Sequence, residues 1–126
     1  MPLNVLGTEL KNCCNDPVTG FYRDGYCRTG QNDTGRHVIC AEMTQGFLEF
    51  TFAMGNDLMT ARLELHFPGL KPGDKWCLCA LRWKEALAAG MAPPVFLEST
   101  HVKALDYVTM DQLRANTVKD SGGEPG

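Results

Sequence analysis

The sequence predicts a single α+β domain: a small mixed or antiparallel sheet, a few short helices and a loop-rich N-terminal lobe. Three observations carry this. Two short runs, 37–43 and 75–80, read as strands, with an apolar β-branched centre in the first and strict alternation in the second. Helical stretches follow them without a regular βαβ rhythm. The first 36 residues are punctuated by turn signals at Asp16-Pro17, Gly20, Asp24-Gly25, Gly30 and Gly35. A chain of 126 residues fits one domain, expected over 1–118, and is long enough to fold without staples.

The elements follow in order. After the lobe, His37-Val38-Ile39-Cys40 opens a strand. Over 44–54, Leu48, Phe50, Phe52 and Met54 alternate as in a strand, but Thr44 is a good N-cap and Gly55 a good C′ residue. The span suits three helical turns, so a helix is expected. Residues 56–74 read as a loop, long enough to be functional or to hide a short element. In 75–80, Trp76 and Leu78 alternate against Cys77 and Cys79, which puts both thiols on one face. A helix is expected over 82–89, stopped by Gly90 and Pro93-Pro94. A short strand is expected at 95–98, then a helix over 101–105 capped by Thr100. Thr109-Met110-Asp111-Gln112 is a capping box that opens a last helix through Ala115. Residues 119–126 are expected to be a disordered tail.

Composition bounds the function. The chain carries 12 basic and 15 acidic residues, a net charge of −3, and no Lys/Arg run, so neither nucleic acid nor an anionic membrane is an expected partner. No apolar stretch approaches the roughly 18 residues of a membrane helix. The opening Met1 to Gly7 has no basic region and no long apolar region, so a signal peptide is not expected. The expected location is the cytoplasm, where thiols stay reduced.

Six cysteines then need an explanation: Cys13, Cys14, Cys27, Cys40, Cys77 and Cys79. A disulfide framework is the lesser expectation. Adjacent Cα atoms such as those of Cys13 and Cys14 lie about 3.8 Å apart, short of the usual disulfide range of about 4.4–6.8 Å. Cys77 and Cys79 on a strand would be about 6.6 Å apart, near the upper limit. The leading reading is that several are small buried apolar groups. The next is a structural zinc, with Cys27, Cys40, Cys77 and Cys79 as candidate ligands and Cys13 and Cys14 as further donors. The usual C-x₂₋₄-C spacing is missing, and on a regular strand His37 and Cys40 would point to opposite faces. The third is an activated thiol: Cys79 lies near Arg82, Cys27 precedes Arg28, and His37, His66 and His101 are possible bases.

A polar binding site is the other candidate. Arg23, Asp24, Asn56 and Asp57 lie in turn-rich segments beside glycines, where a backbone can approach a ligand closely. Arg23 could clamp a carboxylate or phosphate, and Trp76 could stack on a ligand. The plainer reading is that the Asp and Asn side chains cap turns, Arg23 and Asp24 anchor the lobe, and Trp76 and Trp83 are core.

Three segments carry a family resemblance. Residues 13–27 read Cys-Cys-Asn-Asp-Pro-Val-Thr-Gly-Phe-Tyr-Arg-Asp-Gly-Tyr-Cys. Residues 55–58 read Gly-Asn-Asp-Leu. Residues 67–79 read Phe-Pro-Gly-Leu-Lys-Pro-Gly-Asp-Lys-Trp-Cys-Leu-Cys, with Arg82-Trp83 after them. Together they resemble the domain-of-unknown-function 2237 family of small uncharacterised bacterial and plant proteins, over about 3–113. The resemblance implies a compact domain and no assigned activity, so no site residue is carried over. The chain departs from the family pattern at Thr60-Ala61, where members tend to read Thr-Pro. It is also more apolar at 51–54, which raises the prospect of a subunit contact.

The functional expectation is therefore a small cytoplasmic binding or accessory module with a polar loop site. A cysteine-based metal or thiol-redox protein is one alternative. A homo-oligomer joined through an apolar 47–54 surface is the other. No cofactor is expected beyond a possible zinc.

Overall fold

The structure is a computed structural model that describes residues 2–65 and 67–118. It has an α+β fold built on one antiparallel strand pair, β1 (His37–Glu42) and β2 (Lys75–Cys79). The α-helices are α1 (Gln45–Ala53), α2 (Ala80–Ala88) and α3 (Met110–Arg114). Among the described residues, 3₁₀ turns at Leu63–Leu65, Leu97–Ser99 and Val102–Asp106 complete the regular structure. No helix among the described residues is long and apolar enough to cross a membrane.

A lone strand pair is marginal in water, so both faces of this one must be covered. The register pairs Ile39 with Leu78, Cys40 with Cys77 and Ala41 with Trp76. Ile39, Ala41, Trp76 and Leu78 join the main core with Phe47 and Leu48 of α1 and Trp83 of α2. Trp83 is fully buried, and its indole N–H donates to the Pro93 carbonyl at 3.0 Å. Cys40 and Cys77 fall on the alternate positions, in a second buried cluster with Cys13 and Cys27.

A bulge between His37 and Ile39 changes what the strand presents. It leaves Val38 without a partner and pairs His37 with Cys79. His37 thereby returns to the positions that share a face with Cys40 and Cys77. The expected separation of His37 from Cys40 holds only for a strand without that extra residue.

The edges of the pair are closed by side chains. The Cys40 N–H donates to the Thr100 hydroxyl at 3.2 Å, and the Cys77 N–H donates to the Thr19 hydroxyl at 2.8 Å. Both threonines are fully buried. Such bonds are what keeps buried backbone groups satisfied where no third strand is present.

Among the described residues the N-terminal lobe holds no helix or extended strand, as its turn signals predict. Much of its opening is organised by the buried Asn4. The Asn4 amide donates to the Thr8 hydroxyl and to the Glu98 carbonyl, and its oxygen accepts the N–H groups of Leu6 and Thr8.

Several expectations meet the structure directly. Thr44 caps α1 by accepting the Phe47 N–H at 3.0 Å, and Gly55 follows with φ +93°. The capping box at Thr109 and Gln112 is fully formed. Helix α2 starts two residues earlier than expected, because the chain turns from β2 straight into it at Cys79. The 95–98 strand is reduced to bridges from Val95 to Ala41 and to Thr117, followed by a 3₁₀ turn. Thr100 does not cap the following turn but closes the Leu97–Ser99 turn, and its hydroxyl serves the Cys40 N–H and the Phe96 carbonyl. His101 caps the next turn instead, accepting the Lys103 N–H at 3.0 Å. In the apolar 47–54 stretch Phe47 and Leu48 are core, whereas Phe52 and Met54 are about half exposed, at 54% and 47%. The expected tail at 119–126 lies outside the described residues.

The largest correction concerns the cysteines. Two disulfides are present, Cys13–Cys40 and Cys27–Cys77, with Cα separations of 5.8 and 5.3 Å. Cys14 and Cys79 are free and partly exposed. The expectation of reduced thiols rested on the expected cytoplasmic location, supported by the poor geometry of the Cys13–Cys14 and Cys77–Cys79 neighbours; the bonds instead join cysteines 27 and 50 residues apart.

Two predictions follow from this architecture. The bonds span 27 and 50 residues, so loop-closure entropy gives them about 3.5 and 4 kcal/mol. Urea titration with dithiothreitol and a metal chelator should therefore show a stability several kcal/mol below that of the oxidised chain. Asn4→Ala removes the buried side chain that accepts the Leu6 and Thr8 N–H groups and donates to the Glu98 carbonyl, and should lower stability by about 1–3 kcal/mol, measured in the same titration.

Candidate functional site

A cavity of about 630 Å³ opens where the N-terminal lobe meets β2 and the 56–67 segment. Arg23 reaches it from the lobe, His37 from the start of β1, Asn56 and Asp57 from the turn after α1, and Trp76 and Cys77 from β2. Four residues singled out from sequence, Arg23, Asn56, Asp57 and Trp76, thus line one cavity. Asp24 is not among the lining residues. Its carboxylate accepts the Tyr26 N–H at 3.1 Å and the Arg28 Nε–H at 2.8 Å.

Arg23 is held in an unusual conformation. Its φ is +55°, in the left-handed region that L-residues avoid. The tight turn that imposes this needs Gly20, where a Cβ would collide with the Tyr26 carbonyl. Arg23 Nη1 donates to the Gly20 carbonyl at 3.0 Å. The guanidinium lies 5.1 Å from the centre of the Trp76 ring, in cation–π range. Trp76 packs edge-on against Phe67 at 5.2 Å, so this platform is itself fixed. Among the described residues no carboxylate pairs with Arg23.

Asn56 and Asp57 also serve the turn they sit in. Asn56 donates to the Thr51 hydroxyl at 3.0 Å. Asp57 Oδ1 accepts the N–H groups of Met59 and Thr60 at 2.9 and 3.1 Å. Hydrogen bonding from the Thr60 side chain, and then from these two N–H groups, holds the Asp57 carboxyl below the usual range.

One residue of the cavity wall, His37, belongs to a pair that the sequence reading did not assemble. His37 Nδ1 lies 2.6 Å from Asp33 Oδ1, and the His37 backbone N–H donates to Asp33 Oδ2 at 2.9 Å. Asp33 is fully buried and accepts a third bond from the Thr29 hydroxyl at 3.0 Å. Arg36, also left-handed at φ +51°, braces this loop through the Thr29 hydroxyl and the Gly30 carbonyl. Burial pushes the Asp33 carboxyl up, but its bonds from the His37 backbone and ring, and the charge of that ring, outweigh burial and hold it below 3.8. An ionised Asp33 fixes the proton on Nδ1 and leaves Nε2 of the part-exposed ring as the free nitrogen. The Phe21 ring stacks beside it, 6.3 Å away and within 19° of parallel. The available signal was the spacing Asp33-Thr34-Gly35-Arg36-His37, a five-residue turn that closes an acid onto a histidine.

His101 lies outside the cavity lining. His101 is buried, and burial, helped by the Lys103 charge, lowers its pKa, in keeping with its Nδ1 accepting a backbone N–H. His66 lies outside the described residues.

Of the sequence-proposed metal ligands, Cys27, Cys40 and Cys77 share the buried cluster, but its fourth member is Cys13. Cys79 stands apart as the residue that opens α2. The sulfurs of Cys13, Cys27 and Cys77 lie within 4.8 Å of one another, a spacing compatible with metal ligation. As disulfide sulfurs they offer no thiolate. Cys77 belongs both to this cluster and to the cavity wall.

The folded Asp33 carboxyl titrates below its unfolded value of 3.8. The stability it contributes is therefore complete above that pH and is lost as the pH falls through the folded value. Asp33→Asn should cost about 1.5–3 kcal/mol at pH 7 and flatten the acid limb of the stability curve below pH 4, read by urea titration across pH.

Comparison with known proteins adds one finding. No curated protein matches the chain. The profile of a family described as an uncharacterised protein conserved in bacteria (DUF2237) matches residues 3–117. That match includes the cavity, both disulfides and all three sequence segments quoted above, and the chain belongs to the DUF2237 family.

Proposed function

We propose that the protein is a binding module whose cavity takes a small ligand carrying a carboxylate or phosphate. The observation that supports this most is Arg23, a cation fixed over Trp76 at the cavity wall and, among the described residues, without a carboxylate partner. A guanidinium presents paired N–H donors that match an anionic group. Trp76 and Phe67 give the ligand an apolar wall. His37 Nε2 gives it one directional polar contact, held in place through Asp33. Cavities that combine apolar walls with a few fixed polar groups are the usual form of small-molecule sites. The same nitrogen could also exchange a proton with a bound ligand.

In this reading Asn56 and Asp57 shape the rim through the turn they hold, and Asp24 acts by fixing the lobe. Titration with inorganic phosphate and with succinate, followed in ¹H–¹⁵N spectra, tests it. Saturable shifts should appear at the Trp76 indole and at the backbone of 20–23. Arg23→Gln should weaken binding at least about tenfold with stability largely kept. Shifts spread evenly over the surface, or equal binding by Arg23→Gln, would overturn the reading.

A further inference from the structure

We propose that reduction of the two disulfides converts the buried sulfur cluster into a tetrathiolate zinc site formed by Cys13, Cys27, Cys40 and Cys77. This goes beyond the cavity reading and does not depend on it. Four cysteines from distant parts of the chain converge here, at exposures of 5%, 0%, 0% and 1%. The sulfurs of Cys13, Cys27 and Cys77 are within 4.8 Å of one another, and Cys40 is bonded to Cys13. Tetrahedral zinc with bonds of about 2.3 Å places its sulfurs roughly 3.8 Å apart. Side-chain rotation of the separated sulfurs has to close the difference, most of all at Cys40, which is outside the group of three.

The backbone at these positions is held by more than the sulfur bonds. The Cys13 N–H donates to the Gly25 carbonyl at 2.6 Å, and the Cys40 and Cys77 N–H groups are held by buried threonines. Three of the four corners therefore keep local anchors when the disulfides open. Among the described residues, Phe96 is the partly buried hydrophobic side chain packed on this cluster. Four thiolates make a purely soft donor set, which selects zinc over magnesium or calcium. His37 does not belong to this sulfur cluster, and its ring lines the cavity instead.

The chemistry balances as follows. Each protein disulfide takes two electrons and two protons from an external dithiol, which leaves as its own disulfide. The four thiols formed release four protons as they bind one Zn²⁺, leaving a site of net charge −2. Disulfide and zinc forms exclude each other, so the redox poise around the protein selects between them.

The test uses the full chain. It is reduced with dithiothreitol without oxygen, transferred to buffered Zn²⁺, and examined by native mass spectrometry, circular dichroism and alkylation mapping. One zinc per chain is expected, with Cys14 and Cys79 alkylated and the other four cysteines protected. Cys79→Ser should keep its zinc, and Cys40→Ser should lose it to a chelator that the parent resists. Arg23→Gln should bind zinc as the parent does, which separates this outcome from that of the cavity. A reduced parent chain that holds no zinc, folded or unfolded, overturns the proposal. So does loss of zinc on Cys79→Ser.

Discussion

Cys40 and Cys77 sit directly opposite each other across the strand pair, yet each is bonded to a different cysteine of the N-terminal lobe. The rest of the structure depends on this arrangement. A lobe without helices or strands has little apolar surface with which to hold its own shape. Its two bonds, at Cys13 and Cys27, fix both ends of the intervening loop onto adjacent points of the sheet. The loop between them cannot drift, and it carries Gly20, Phe21 and Arg23 to the cavity. Without that clamp the strand pair would lose the cover of its second face.

Position alone does not make Arg23 useful. Its left-handed backbone costs about 1–2 kcal/mol, and Arg36 bears a similar load. Both strained residues adjoin the cavity: Arg23 lines it, and Arg36 braces the loop that holds Asp33 against His37. Strain of this kind persists only where surrounding structure over-determines it. Here the over-determination comes from short hydrogen-bonded turns and from the disulfide clamp. The result is a cation and an oriented imidazole facing one space.

How much of this was legible in the sequence depends on the range of the interactions. Thr44, Gly55 and the Thr109–Gln112 box act within one or two turns of chain, and their helices stand where those residues place them. The alternation of Trp76, Cys77, Leu78 and Cys79 reports the two faces of β2 correctly, because pleat parity is local. The bulge at Val38 is not readable in that way, since it exists only against the partner strand, and it alone decides which face His37 joins. The Val95 segment has strand composition but meets its neighbours at single bridges, so composition overstated it. Disulfide pairing is wholly non-local: 27 and 50 residues separate the partners, and no spacing rule links them. Arg23, Asn56, Asp57 and Trp76 could be singled out by residue type, but only the fold shows that they share a wall and that Asp24 does not.

Cys77 ties the two chemical features of the molecule together. One side of its environment is the sulfur cluster, and the other is the cavity. The covalent state of the cluster therefore bears on the cavity through two short routes. The first is Cys77 itself, next to the Trp76 platform. The second is Cys27, which ends the loop that carries Arg23 four residues earlier. A bond between Cys27 and Cys77 fixes the distance from that loop end to the platform, whereas ligation of both to a common metal would set a longer one. A cation 5.1 Å from an aromatic centre has little room for such a change before the contact weakens. The lobe clamp and the cavity cation are therefore one mechanical unit rather than two independent features of the fold.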